Sequence, residues 1–182
     1  MSFHHLAIAT RDMKATHEFY ANAMGFELVR AEKAQMQDGG WAKHFFYDTG
    51  DGEMMAFWEL HIDEIPDDFP TSISVGLGLP EWTNHIAFGA SSLDDLATRR
   101  QRLLDAGHGV TEIDHHWCKS IYAMDPNGIL IEFCVTTRSF TKQDRDYALV
   151  ALDSRDMKDE PAPIVNRYEP EQAAEVAQTA PL

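Results

Sequence analysis

The apolar positions of this chain fall into two similar series. Residues 3–9 alternate as a short strand, and Asp12 follows as a helix N-cap. Met13, Phe19, Tyr20, Ala23 and Met24 then recur at helical spacing until Gly25 stops the helix. Glu27 to Arg30 reads as a strand, Gly39-Gly40 as a break, and Trp41 to Tyr47 as an aromatic strand. Gly50-Asp51-Gly52 is a turn and Met54 to His61 a further strand. After a connector containing Pro66, Pro70 and Pro80, the pattern restarts. Trp82 to Gly89 is a strand, and Ser92-Leu93-Asp94-Asp95 resembles a capping box ahead of a helix that runs to Ala106-Gly107. Strands follow at Val110 to Ile113, Trp117 to Met124 and Ile129 to Thr136. Each half is β-α-β-β-β over about 60 residues, the pattern of a duplicated unit.

The chain therefore divides into a first unit at 3–62, a connector at 63–81, a second unit at 82–137 and a remainder at 138–182. In the remainder, Thr141-Lys142-Gln143-Asp144 caps a short helix expected to run through Leu152. Beyond Ser154 the composition is acidic, with Pro161, Pro163 and Pro170, and predicts an extended or disordered tail in preference to a docked arm.

Strand residues alternate faces, so His5, Ala7 and Ala9 share one face, as do His85, Ala87 and Gly89. The bulkier Leu6 and Ile8, or Ile86 and Phe88, take the other face and should pack on the helices. Each histidine strand is followed at a distance by a strand glutamate, Glu59 in the first unit and Glu132 in the second. Two imidazoles and one or two carboxylates delivered by a repeat make a divalent-metal site. Asp125-Pro126-Asn127-Gly128 reads as a type I turn with a glycine bulge. That register sets Tyr122 opposite Glu132, and strand parity then turns Ser120, Cys118 and, if the strand extends so far, His116 toward the same face, so that Tyr122 and His116 look toward the metal. A tighter turn would put Ile121 there instead.

Composition narrows the classes. The net charge is −15, which argues against nucleic acid and against anionic membrane surfaces. No apolar run is long enough to span a bilayer, and no signal peptide is visible. Two cysteines, Cys118 and Cys134, are too few for a disulfide scaffold, so a cytoplasmic setting is expected. His44, His61 and His108 read as surface residues.

Residues 3–137 resemble the vicinal oxygen chelate superfamily, which includes glyoxalases, fosfomycin-resistance thiol transferases and extradiol dioxygenases. The elements that carry the resemblance are His5-Leu6-Ala7-Ile8-Ala9, Phe19-Tyr20 before Met24-Gly25-Phe26, Asn84-His85-Ile86-Ala87-Phe88, and the run from Tyr122 through Asp125-Pro126-Asn127-Gly128 to Glu132. The resemblance implies an α+β fold in which paired βαβββ units form an open mixed β barrel around a metal. It implies the ligands His5, His85 and Glu132, with Glu59 in the place of a fourth. Three ligands with open positions fit Fe(II); Ni(II), Zn(II) or Mn(II) are the alternatives. Tyr122 stands where extradiol enzymes place a tyrosine that hydrogen-bonds the catecholate, and His116 or His115 would serve as acid/base. The expected function is extradiol cleavage of a catechol-like small molecule by a homodimer. A glyoxalase-type lyase or isomerase, a thiol transferase and a non-enzymatic aromatic-drug binder are the alternatives.

Overall fold

The computed structural model describes residues 3–37, 39–50, 52–155 and 161–171. The first unit contains β1 (His5–Thr10), the short helix α1 (Met13–His17), β2 (Glu27–Gln35), β3 (Trp41–Gly50) and β4 (Glu53–His61). Asp12 caps α1 through a side-chain oxygen that accepts from Ala15 N at 2.9 Å. The helix then widens into π turns over Glu18–Ala23 and ends at Gly25, whose φ is +83°. A Cβ at Gly25 would meet only the movable tip of the Arg102 side chain, so it is the positive φ that calls for glycine there.

The second unit repeats the plan with β5 (His85–Gly89), α2 (Leu93–Asp105), β6 (Val110–Asp114), β7 (Cys118–Met124) and β8 (Leu130–Thr136). A helix α3 (Lys142–Ala151) follows under a complete Thr141/Asp144 capping box. The remainder also supplies β9 (Ile164–Tyr168), which pairs antiparallel with β6 along Val110 to Asp114. The expectation of an undocked tail is thus corrected: 161–171 lie against the second unit, while the parts of the tail at 156–160 and 172–182 fall outside the described residues.

Two mixed sheets result, of order β1-β4-β3-β2 and β5-β8-β7-β6-β9, and they do not close into a barrel among the described residues. In both, the histidine strand runs parallel to the last strand of its unit. One hydrophobic core joins the helix-covered faces: Tyr20, flanked by Phe19 and Phe26, packs on Tyr47 and Phe57, and Phe26 reaches Phe88 and Phe133. Asp125 ties the units together. Its carboxylate accepts from Tyr20 Oη at 3.0 Å and from Asn127 N and Ile129 N, each at 2.8 Å. Gly128 has φ +72°, so the turn has the predicted glycine position, and Tyr122 pairs with Glu132 as expected. No helix among the described residues is long and apolar enough to cross a membrane.

Candidate functional site

The face of each sheet turned away from the helices carries the candidate chemistry. On the second sheet, His85 and Glu132 meet there with Nε2 and Oε2 3.2 Å apart. The His85 Nδ1–H donates to Trp82 O at 3.1 Å, which leaves Nε2 as the free nitrogen. In a neutral ring that nitrogen is an acceptor, and it faces a carboxylate that is also an acceptor. Two acceptors at this separation need a shared proton or a metal ion between them. The backbone carbonyl behind His85 is the kind of outer partner that orients a ligating histidine. Glu132 is 5% exposed, so its charge cannot be left to solvent.

Tyr122 completes this side. Its hydroxyl lies 3.2 Å from His115 Nε2 and its ring 6.3 Å from that of His85. Burial, and secondarily the Glu132 charge, push its hydroxyl well above the ordinary tyrosine value, so it stays protonated and can donate. His115, Tyr122, Glu132 and His85 form a continuous polar chain.

His116 does not join it. It adopts φ +66°, its amide donates to Asp114 Oδ1, and its Nε2 donates to Ala162 O at 3.0 Å. The strand does not extend far enough to place it there: β7 begins at Cys118, residue 116 lies in the turn before it, and the left-handed backbone there breaks the alternation. His115 continues the β6 face of Thr111 and Ile113 instead.

The first unit differs more. His5 lies beside His44 and Phe46, and its Nδ1 is 2.8 Å from His4 Nδ1. Its register partner is Met54, and the residue that occupies the place of Glu132 is Ala56, which pairs with Ala7 as Glu132 pairs with Ala87. Glu59 pairs with Thr10, on the helix-covered face, and is held by Lys43 at 3.2 Å and His61 at 2.9 Å. The expected fourth ligand therefore points to the wrong side of its sheet. Among the described residues no three His, Cys, Asp or Glu side chains stand close enough to hold a metal. The structure brings His85 and Glu132 together and leaves His5 apart.

His44, expected at the surface, is 6% exposed, stacks on Trp58 with centroids 3.8 Å apart, and leaves Nε2 without a partner among the described residues. His108 is half-buried against Phe19. A cleft of about 240 Å³ runs between the sheets, lined by Leu6, Met54 and Met55 on one side and by His85, Ile86 and Phe88 on the other. Leu6 adjoins His5 and Met54 pairs with it, so His5 stands beside the cleft that His85 lines.

Residues 2–133 match the Glyoxalase/Bleomycin resistance protein/Dioxygenase superfamily. The chain belongs to that superfamily. Its fold is that of solved members: a glyoxylase/bleomycin resistance protein/dioxygenase domain from Frankia sp. EAN1pec has a TM-score of 0.56 at 16% identity, covering 75% of this chain and 98% of that one. A glyoxalase/bleomycin resistance protein/dioxygenase from Alicyclobacillus acidocaldarius gives 0.51 at 16% identity over 75% of this chain and 92% of the other. The protein SMU.1112c gives 0.52 at 20% identity over 74% and 98%. No curated protein matches the chain in sequence. β9 lies outside the matched segment.

Proposed function

We propose that this superfamily member is a metal-dependent dioxygenase that opens catechol-like rings at a site formed by His85 and Glu132, with His5 as the third ligand. The observation that carries the proposal is the placement of a protonated Tyr122 between Glu132 and His115, beside an imidazole and carboxylate that need a shared proton or metal ion. For His5 to join them, its ring must leave His4 and turn into the cleft beside which it stands. With Glu59 on the other face, the donor set is two histidines and one carboxylate, which suits Fe(II) better than a four-ligand isomerase site.

A divalent ion held there supplies Lewis acidity that lowers the pKa of a chelating diol, and Fe(II) adds access to O2 chemistry. The protein's own groups do the rest. Tyr122 donates a hydrogen bond to one substrate oxygen and fixes the ring's orientation. His115, which reaches that oxygen through Tyr122, accepts the proton released when the diol ionises and returns it later. The buried sheet floor of Ser120 and Cys118 keeps bulk water from that side.

The test is anaerobic purification, elemental analysis, and oxygen uptake with a panel of catechols after Fe(II) addition. One iron per chain with oxygen consumption and a yellow ring-opened product supports the proposal. Nickel or zinc without oxygen uptake moves the assignment to a lyase. Failure to bind any metal leaves an aromatic-ligand binder, which the Trp58, Phe46 and His44 cluster would suit. The assembly is proposed to be a homodimer in which each site is built within one chain. Mixing His5→Ala with His85→Ala chains should then restore no metal binding; recovery would show that the two histidines come from different copies.

A further inference from the structure

β9 does more than lengthen the second sheet. Strand register carries one row of side chains straight across it: Ala87 pairs with Glu132, Glu132 with Tyr122, Tyr122 with Thr111, and Thr111 with Arg167. Residues paired in this way project from the same face. Arg167 therefore stands on the face of His85, Glu132 and Tyr122, not on the face of α2. Tyr168, its neighbour, confirms the alternation, since its ring lies under the Arg100 guanidinium on the helix side at 4.3 Å.

Adjacent strands are about 4.8 Å apart, so Arg167 and Tyr122 stand on backbones roughly 10 Å from each other. Only the short Thr111 separates them, and an arginine side chain is long enough to lean back over it toward a ring held at Tyr122. The Arg167 side chain is exposed and makes no hydrogen bond or ion pair with the described residues. The nearby cations are engaged elsewhere: Arg100 and Lys119 both meet Glu112, and Arg99 meets Asp95. The strand is held in place by five backbone register pairs, by the His116 side chain on Ala162 O and by the Arg100–Tyr168 contact. A chain of net charge −15 repels anions in general, so a guanidinium on the site face that no described acidic side chain neutralises is a selective feature.

We infer that Arg167 is a specificity-determining residue that binds a carboxylate on the ring of the substrate, opposite the diol. This rests on the proposed diol site for the ring's other end. A planar guanidinium pairs with a carboxylate through two parallel hydrogen bonds, which would both tighten binding and set the ring's direction.

The test measures binding of 3,4-dihydroxybenzoate, catechol and benzoate to the full chain, loaded with redox-inert Zn(II) and, separately, metal-free. The loaded wild type should bind dihydroxybenzoate at least about 10-fold more tightly than catechol. Arg167→Gln should abolish that preference and leave catechol affinity and the thermal midpoint unchanged, whereas Arg167→Lys should keep part of it. A wild type with no preference for the carboxylate, including one that binds neither diol, overturns the assignment, as does an Arg167→Gln variant that keeps the preference. If dihydroxybenzoate binds no better than benzoate, the diol site itself fails, and Arg167 is then judged by whether Arg167→Gln weakens benzoate binding to the metal-free chain.

Discussion

Removing the Asp125 carboxylate should cost more stability than any other single polar change in this protein. The residue is 4% exposed, and its two oxygens accept from four donors: Asn127 N, Ile129 N, Tyr20 Oη and Asn127 Nδ2. Asn127 Nδ2 keeps a second acceptor in Thr16 Oγ1 at 3.3 Å, so Asp125→Ala leaves three donors with none. Each buried unsatisfied group costs about 1–3 kcal/mol, and water entering the vacated space offsets part, so about 3–5 kcal/mol is expected. Asp125→Asn keeps an oxygen for the two backbone amides and sets an amide nitrogen against Asn127 Nδ2; about 1–2 kcal/mol is expected. Urea unfolding followed by tryptophan fluorescence at fixed protein concentration measures both. Burial raises the folded pKa of Asp125 above the ordinary 3.8, and the hydrogen bonds from Asn127, Ile129 and Tyr20 only partly oppose it. A raised folded value means its contribution is full below 3.8 and falls as pH rises through the folded value. The gap between wild type and Asp125→Asn should accordingly be widest in acid and narrow on raising the pH. Two variants within about 0.5 kcal/mol of wild type would refute the reasoning.

Other outcomes follow from the same geometry. Lys43 and His61 hold the Glu59 carboxyl below its ordinary value against the opposing effect of burial. Its stabilisation is present above 4.5 and is lost as pH falls through the lower folded value, so the stability difference between wild type and Glu59→Gln should vanish in acid; a difference that grows there would contradict the pairing. Burial, and then the neighbouring Cys134 thiol, push the Cys118 thiol up to about 12, so iodoacetamide at pH 8 should leave Cys118 unlabelled until the protein is unfolded, as mass spectrometry would show. His116→Asn, which tolerates a left-handed backbone but cannot reach Ala162 O, should speed amide exchange across Ile164–Tyr168; unchanged exchange would mean that the strand pairing alone secures the arm.

Much of the fold was legible in the chain because its signals are local. Asp12, Gly25, Thr141 and the Asp125 turn each dictate a cap or a register within a few residues, and each stands as expected. The site was legible where a turn fixed parity, as for Tyr122 opposite Glu132. It was misread where parity had no anchor. Nothing in Phe57-Trp58-Glu59 marks which face is which, and a carboxylate drew attention that belonged three residues earlier, to the featureless Ala56. His115, and not His116, meets Tyr122 because a single left-handed residue breaks the alternation. β9 was invisible because five residues between prolines gain strand character only from the edge of β6, a partner distant in sequence.

The central claim is that His5, His85 and Glu132 hold one divalent ion and Glu59 does not. Anaerobic titration of Fe(II) into the wild type and into His5→Ala, His85→Ala, Glu132→Gln and Glu59→Gln, read as metal retained per chain after desalting, tests it directly. The account predicts one ion per chain for wild type and Glu59→Gln, and loss of retained metal in the other three. Full retention by His5→Ala or Glu132→Gln, or loss in Glu59→Gln, would contradict it.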